Sequence, residues 1–226
     1  MGVVFAFPFN SGSTANVINY RDTEILYFNE YWYEKENVNQ GGTIEYEFQS
    51  SQSDLTFAIA NHPFEDFPAR TVEGGDNYNF NLIANQYQYF QIWLNPGSSI
   101  SYNFFISSPI DFYLMNSEQF FDWEVGYTVE PIITETDTTE NQNSYNIDVN
   151  MFAQDYFLVW YNLNSSSIDV EYNINYTATG IIDVTGAEDY KEHDTYYQNS
   201  ITVDESGDWY FFIYFDPFYS PEEATE

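Results

Sequence analysis

Apolar and polar side chains alternate along most of this chain. The segments Ile44-Glu45-Tyr46-Glu47-Phe48, Ile100-Ser101-Tyr102-Asn103-Phe104, Tyr145-Asn146-Ile147-Asp148-Val149-Asn150-Met151 and Ile168 to Tyr176 all repeat every second residue. A period of two buries one face of a strand and wets the other, whereas a helix needs a period of 3.6. No window carries a convincing helical stripe. Clusters of Gly, Pro, Asn and Ser break the alternation at intervals of roughly 8–12 residues, as turns between short strands do. The expected fold is all-β: two antiparallel β-sandwich units of jelly-roll or Ig-like type, with an N-terminal extension strand.

Internal repetition refines this reading. Gly42 to Phe48 followed by Leu55 to Asn61 matches Ser98 to Phe104 followed by Ile110 to Asn116. Each is a strand, a Ser-rich turn, a second strand and a closing Asn, and Phe64 and Phe67 then match Phe120 and Trp123. A second motif, Tyr89-Phe90-Gln91-Ile92-Trp93-Leu94-Asn95, matches Tyr156 to Asn162 and, more loosely, Trp209 to Asp216. Its apolar character on nearly every position predicts central strands covered on both faces. Alternating strands precede the copies at Tyr78 to Leu82, Tyr145 to Val149 and Ser200 to Val203. After the first two copies comes another alternating strand, and after the third it does not. The last sheet is therefore expected to lack a strand and to leave an unpaired edge beside an apolar groove lined by Trp209, Phe211, Ile213 and Phe215. Near the start, Val3, Phe5, Phe7 and Phe9 lie on one face of a short segment that is apolar on both faces. Such a segment either completes its own sheet or fills the groove of a neighbour by strand addition.

Two partitions of the chain fit these patterns. The primary one is serial: an extension over 1–15, a first sandwich over 16–116, an acidic Thr-rich linker over 117–142 and a second sandwich over 143–226. The other nests a complete domain, about 76–177, between two halves of another.

Charge limits the functions open to the fold. The chain has 36 Asp+Glu against 4 Lys+Arg, a net charge of −32. Arg21, Lys35, Arg70 and Lys191 are scattered, so the basic patch that a nucleic-acid partner requires is missing. Attraction to an anionic lipid surface is excluded on the same ground. Disorder does not follow from the acidity, because hydrophobics reach 43% and aromatics 21%. Glu45, Glu47, Asp148, Asp169 and Glu171 alternate with apolar residues and so fall on wet faces, where like charge opposes stray edge pairing. No charged side chain lies between Val3 and Tyr20. With no cysteine, disulfides, thiolate metal sites and cysteine nucleophiles are absent. No apolar run is long enough for a membrane-spanning helix. The opening residues, MGVVFAFPFN, lack the basic n-region and cleavage pattern of a signal peptide, so the chain is expected to be either cytosolic or a mature or trimmed form, and its Tyr/Asn/Ser-rich, Lys-poor composition favours the second.

The chemistry-bearing residues are few. His62 stands in Asn61-His62-Pro63 and His193 in Glu192-His193-Asp194, both expected in solvent-facing loops. Nucleophile, zinc and phosphate-loop motifs are lacking, so no catalytic residue, metal ligand or cofactor is expected. Asp204-Glu205-Ser206-Gly207-Asp208 and Glu135 to Glu140 have the oxygen ligands that calcium takes, but a turn with hydrated acids explains them more simply. Asn164-Ser165-Ser166 and Asn175-Tyr176-Thr177 fit the N-glycosylation pattern, and Asn164, in a turn, is the better acceptor. Trp93 and Trp160 are expected in the core. Of Tyr31, Trp32 and Tyr33, at least one must face out.

The succession GGTIEYEF, SSPIDFYLMN, FFDW, DYFLVWYN and SSSIDVEYNINY resembles the extracellular β-sandwich modules of archaeal surface proteins, which are similar to Golgi-dynamics (GOLD-type) domains and prepeptidase C-terminal domains. The resemblance covers roughly residues 27–177. It implies an exported, multi-copy adhesive or structural module of the cell surface. Together these readings lead to a non-catalytic extracellular protein that pairs with copies of itself by strand complementation in a filament, pilus or lattice. The rival is a monomeric adhesion or carbohydrate-binding module, with glycans or cations as partners and a solvent-facing aromatic row.

Overall fold

The computed structural model describes residues 25–27, 30–51, 53–215 and 224–225. Among the described residues the fold is all-β with one short α-helix and two single 3-10 turns, and the chain divides into two compact units. One comprises residues 1–68 and 182–226; the other comprises 69–181. The serial partition at 117–142 is thus not the division seen, because that stretch lies inside the second unit. Chain order gives β1 (Leu26–Tyr27), β2 (Tyr31–Val38), β3 (Thr43–Gln49) and β4 (Leu55–Ala60). The inserted unit follows with β5 (Ala69–Leu82), β6 (Tyr87–Leu94), β7 (Ser99–Asn116), α1 (Ser117–Glu124), β8 (Ile133–Asn146), β9 (Gln154–Tyr161) and β10 (Ile168–Ile182). The first unit then resumes with β11 (Asp189–Asp194), β12 (Tyr196–Thr202), β13 (Gly207–Tyr214) and β14 (Ala224–Thr225).

In the inserted unit one long strand organises both layers. The first half of β7 pairs with β10, Ile106 opposite Val170 through Ser99 opposite Thr177. Its second half pairs with β9, Asp111 opposite Tyr161 through Asn116 opposite Tyr156. β8 follows the other edge along both halves, with its register shifting between Phe105 and Ile110. Pro109 falls in that interval, where it has no N–H to give to a ladder. The strand folds over here: Tyr102 and Phe112, which a straight strand would hold about 33 Å apart, have ring centroids 4.8 Å apart. The core between the layers holds Trp160, stacked on Tyr172 at 4.9 Å and against Phe112 at 5.7 Å. β6 closes the sheet beyond β9 and β5 beyond β10.

Two segments depart from the sequence reading. Residues 117–124 form a helix, not a linker. Asn116 caps it by accepting from the Gln119 N–H at 2.9 Å, while Gln119 Oε1 accepts from the Asn116 N–H at 3.0 Å. This capping box fixes a helix too short to show a stripe. Phe120 then stacks on Phe157, 4.1 Å between centroids and 3° between planes. The acidic Thr-rich stretch is β8, an edge strand with no fully buried position, so β-branched Thr and backbone pairing hold it without apolar alternation. Conversely, Tyr145 to Met151 does not stay extended. β8 ends at Asn146, and the Asp148 carboxylate accepts from the Asn150 N–H at 2.8 Å, an Asx turn that breaks the pattern.

The first unit sets a four-stranded sheet, β11-β4-β13-β2, against the pair β12-β3. Its core joins Ile44, Tyr46 and Phe48 of β3 with Phe57 and Ile59 of β4 and with Trp209, Phe211 and Ile213 of β13. The outer face of the larger sheet is covered by Phe64 and Phe67, packed on Phe212 at 5.3 and 5.6 Å.

The two units repeat one plan, which accounts for the sequence repeats. β3 and β4 correspond to the two halves of β7, and β13 pairs with β4 as β9 pairs with the second half of β7. β2 flanks β13 as β6 flanks β9. β11 and β12 lie along β4 and β3 as β8 lies along β7. Phe64 and Phe67 stand where Phe120 and Trp123 stand, at the point where the insertion enters.

Candidate functional site

The correspondence locates what one unit has and the other lacks. The first half of β7 is paired on both edges, by β8 and by β10. Its counterpart β3 is paired by β12, Ile44 opposite Ile201 and Phe48 opposite Tyr197. Among the described residues no strand of the first unit takes the place of β10 or β5, and the sheet stops at two strands. The outward side chains of β3 include Glu45 and Glu47.

The groove expected beside Trp209, Phe211, Ile213 and Phe215 is filled. β13 is an inner strand, with β4 on one edge and β2 on the other, and all four side chains are buried in the core. The physical reason is β2, whose YWYEKENV pattern alternates too irregularly to have been read as the partner of β13. Among the described residues, the edge without a partner strand belongs to β3, in the other layer. Val3, Phe5, Phe7 and Phe9 lie outside the described residues.

Other candidate residues are dispersed. Asn164 Nδ2, the atom a glycan would take, donates to Pro109 O at 2.7 Å and to Asn162 Oδ1 at 3.0 Å. Asn175 is exposed in the middle of β10, where its amide donates to Asn173 Oδ1 at 2.8 Å. In the acidic turn, hydrogen bonds from Asn37 and Lys35, each 2.9 Å, hold the Asp208 carboxyl below the usual range. Among the described residues no three acidic or imidazole groups converge as a metal would require. His62 packs edge-on against Phe67 at 4.6 Å, half-buried. His193 is not in a loop but at the bulge of β11, with φ of 52°. Trp160 is buried as expected; Trp93, on the sheet-end strand β6, is only half-buried. Tyr31 and Tyr33 face out, stacked at 6.3 Å, and Trp32 turns toward the core.

One face of the inserted unit has an order that sequence reading missed. Alternation turns the odd-numbered residues of β7 and β10 outward, and the register sets them in rows across three strands. Glu140, Phe105 and Glu171 form one row; Gln142, Asn103 and Asn173 the next; Ser144, Ser101 and Asn175 the third. Phe105 is 62% exposed. Depressions of about 940 and 560 Å³ lie on this face, and both are lined by Phe105 and Glu171. The signal was available: an apolar residue on the polar side of an alternating strand, in Asn103-Phe104-Phe105.

No family model matches the chain, and no curated protein matches it. Among solved structures it is similar to the Aeromonas hydrophila PliG, a periplasmic lysozyme inhibitor of g-type lysozyme, at 11% identity over 52% of this chain and 91% of that one, with a TM-score of 0.29. It is similar to the VP2 subviral particle of infectious bursal disease virus at 10% identity over 84% of this chain and 81% of that one, also with a TM-score of 0.29. Likeness at this level extends no further than a β-rich fold. No helix among the described residues is long and apolar enough to cross a membrane.

Proposed function

We propose that the chain is a non-catalytic extracellular structural subunit that joins copies of itself at a cell surface by β-strand complementation. The observation that carries this reading is the two-stranded β12-β3 layer, set against a sister unit in which the same position holds a further strand. In that sister unit the added strand, β10, turns Ile168, Val170, Tyr172 and Ile174 into the core. Val3, Phe5, Phe7 and Phe9 have the same two-residue spacing and apolar character, so they suit the place along β3 that no described strand takes. Glu45 and Glu47 on its outward face discourage indiscriminate pairing, while the donor segment brings no charge of its own.

A chain without cysteine makes a clean trap. A variant carrying Ala6→Cys and Glu45→Cys is expected to give a ladder of covalent multimers on oxidation, and removal of residues 1–10 is expected to leave monomers by light scattering. Normal assembly of the truncated chain sinks the proposal. So does a double-cysteine variant that cross-links only within single chains.

A further inference from the structure

The rows on the outer face of β8, β7 and β10 form a surface of definite chemistry. The two depressions meet at Phe105 and Glu171, so they form one trough, long enough for an extended ligand. β5 continues the trough with Asn79 and Asn81, and Asn81 donates to Asp169 Oδ1 at 2.9 Å. Asn103, Gln142 and Glu171 make no side-chain hydrogen bond to protein among the described residues, so their polar groups are free to meet a ligand.

Charge and polarity select the occupant. Lys and Arg are missing from the trough, and the only base of the whole unit is Arg70, at the start of β5. Glu140, Asp169 and Glu171 therefore repel phosphate, sulfate and uronate groups. A protein partner needs a broad apolar centre, whereas here Phe105 is the one strongly exposed apolar side chain of the lining, with Phe80 half-buried and Phe104, Val170 and Tyr172 buried, and it stands among carboxamides, carboxylates and hydroxyls. A metal ion is disfavoured by the lack of a converging ligand set. A neutral sugar polymer satisfies every feature. Its hydroxyls both donate and accept, as carboxamides do. Its weakly polar C–H face packs on an exposed ring. Carboxylates on either side of that ring accept charge-assisted hydrogen bonds from the flanking hydroxyls.

We infer that this face binds a neutral oligosaccharide or polysaccharide, with a sugar ring stacked on Phe105 between Glu140 and Glu171 and neighbouring sugars held by Asn103 and Gln142. The site lies wholly in residues 69–181 and does not depend on strand exchange at β3. Its test is binding of the full chain to an array of neutral glycans together with sulfated and uronic ones, followed by titration with each neutral glycan retained. Phe105→Ala is expected to weaken binding at least about tenfold, the worth of one stacked ring, while Phe105→Trp keeps it. Asn103→Ala weakens it further, and Tyr33→Ala, on the exposed aromatic pair of the other unit, leaves it unchanged. Retention of no neutral glycan overturns the inference. So does preference for the anionic glycans, binding indifferent to Phe105→Ala, or binding lost in Tyr33→Ala.

Discussion

Replacing Asn162 by Asp tests how the closing asparagine of the repeat holds a sandwich corner. Asn162 is fully buried, and its amide nitrogen donates to Leu82 O at 3.0 Å, Ile83 O at 3.2 Å and Ser166 O at 2.9 Å. Its oxygen accepts from the Asn164 backbone N–H at 2.9 Å. Aspartate has the same size, so packing is unchanged and only the sign of one group is reversed. An ionised oxygen then faces three carbonyl oxygens in a site closed to water. The folded state answers by taking up a proton, which raises the carboxyl pKa well above its unfolded value of about 4. The protonated acid returns one donor in place of two, at a loss of about 1–2 kcal/mol. Each pH unit between the unfolded-state pKa and the higher folded-state one adds about 1.4 kcal/mol, so about two such units bring the total to roughly 4–5 kcal/mol at neutral pH. Because the folded pKa is the higher one, this extra loss is largest at neutral and alkaline pH. It fades as pH falls through the folded pKa toward the unfolded one. Hydrogen exchange of β9 amides in wild type and N162D across that range reads the inserted unit by itself. Asn162→Ala serves as the comparison, with a loss that does not vary with pH. Stability of N162D within about 0.5 kcal/mol of wild type at neutral pH, or a loss that does not shrink on acidification, refutes the reasoning.

Three further outcomes follow from the packing. Phe120→Ala removes the ring stacked on Phe157 and is expected to cost about 3 kcal/mol, seen as early exchange of the α1 amides. At Gly75 an added Cβ would come 2.5 Å from Ile174 O, a backbone atom that has no rotamer to change. Gly75→Ala should therefore cost about 1–3 kcal/mol in urea denaturation. The Tyr87 phenol, hydrogen-bonded to Glu124, is pushed up to about 12, so its contribution to stability holds below pH about 10 and is lost as pH rises through about 12. Tyrosinate absorbance should show that late titration in wild type and an earlier one in Glu124→Gln.

What the sequence made legible was whatever is buried on one face only. Ile44 to Phe48, Ile100 to Phe104 and Ile168 to Tyr176 are strands because their alternation is the burial itself. β8 was hidden because an edge strand wet on both faces needs no apolar residues. The helix was hidden because eight residues make barely two turns, though Asn116 and Gln119 spelled out its cap. The repeats were visible, yet the pairing of β3 with β12 and of β2 with β13 joins residues more than a hundred positions apart. The Phe105 face depends on register across three strands, which alternation within each one does not state.

The nesting also dictates an order of events. When β3 and β4 leave the ribosome, the strands that pair with them lie beyond the whole inserted unit, and their apolar faces have only each other for cover. The inserted unit is continuous in sequence and can fold as soon as it is complete. Its first and last strands, β5 and β10, are neighbours, so folding draws residues 69 and 181 together. The stem is then tied by the Asp183 N–H donating to Pro68 O at 2.8 Å. A long excursion of the chain thereby becomes, for the first unit, a loop of negligible length, and the entropy of closing it has already been met. The inserted unit is thus a folding template as much as a domain, and lesions in its core should appear first as failed maturation of the other.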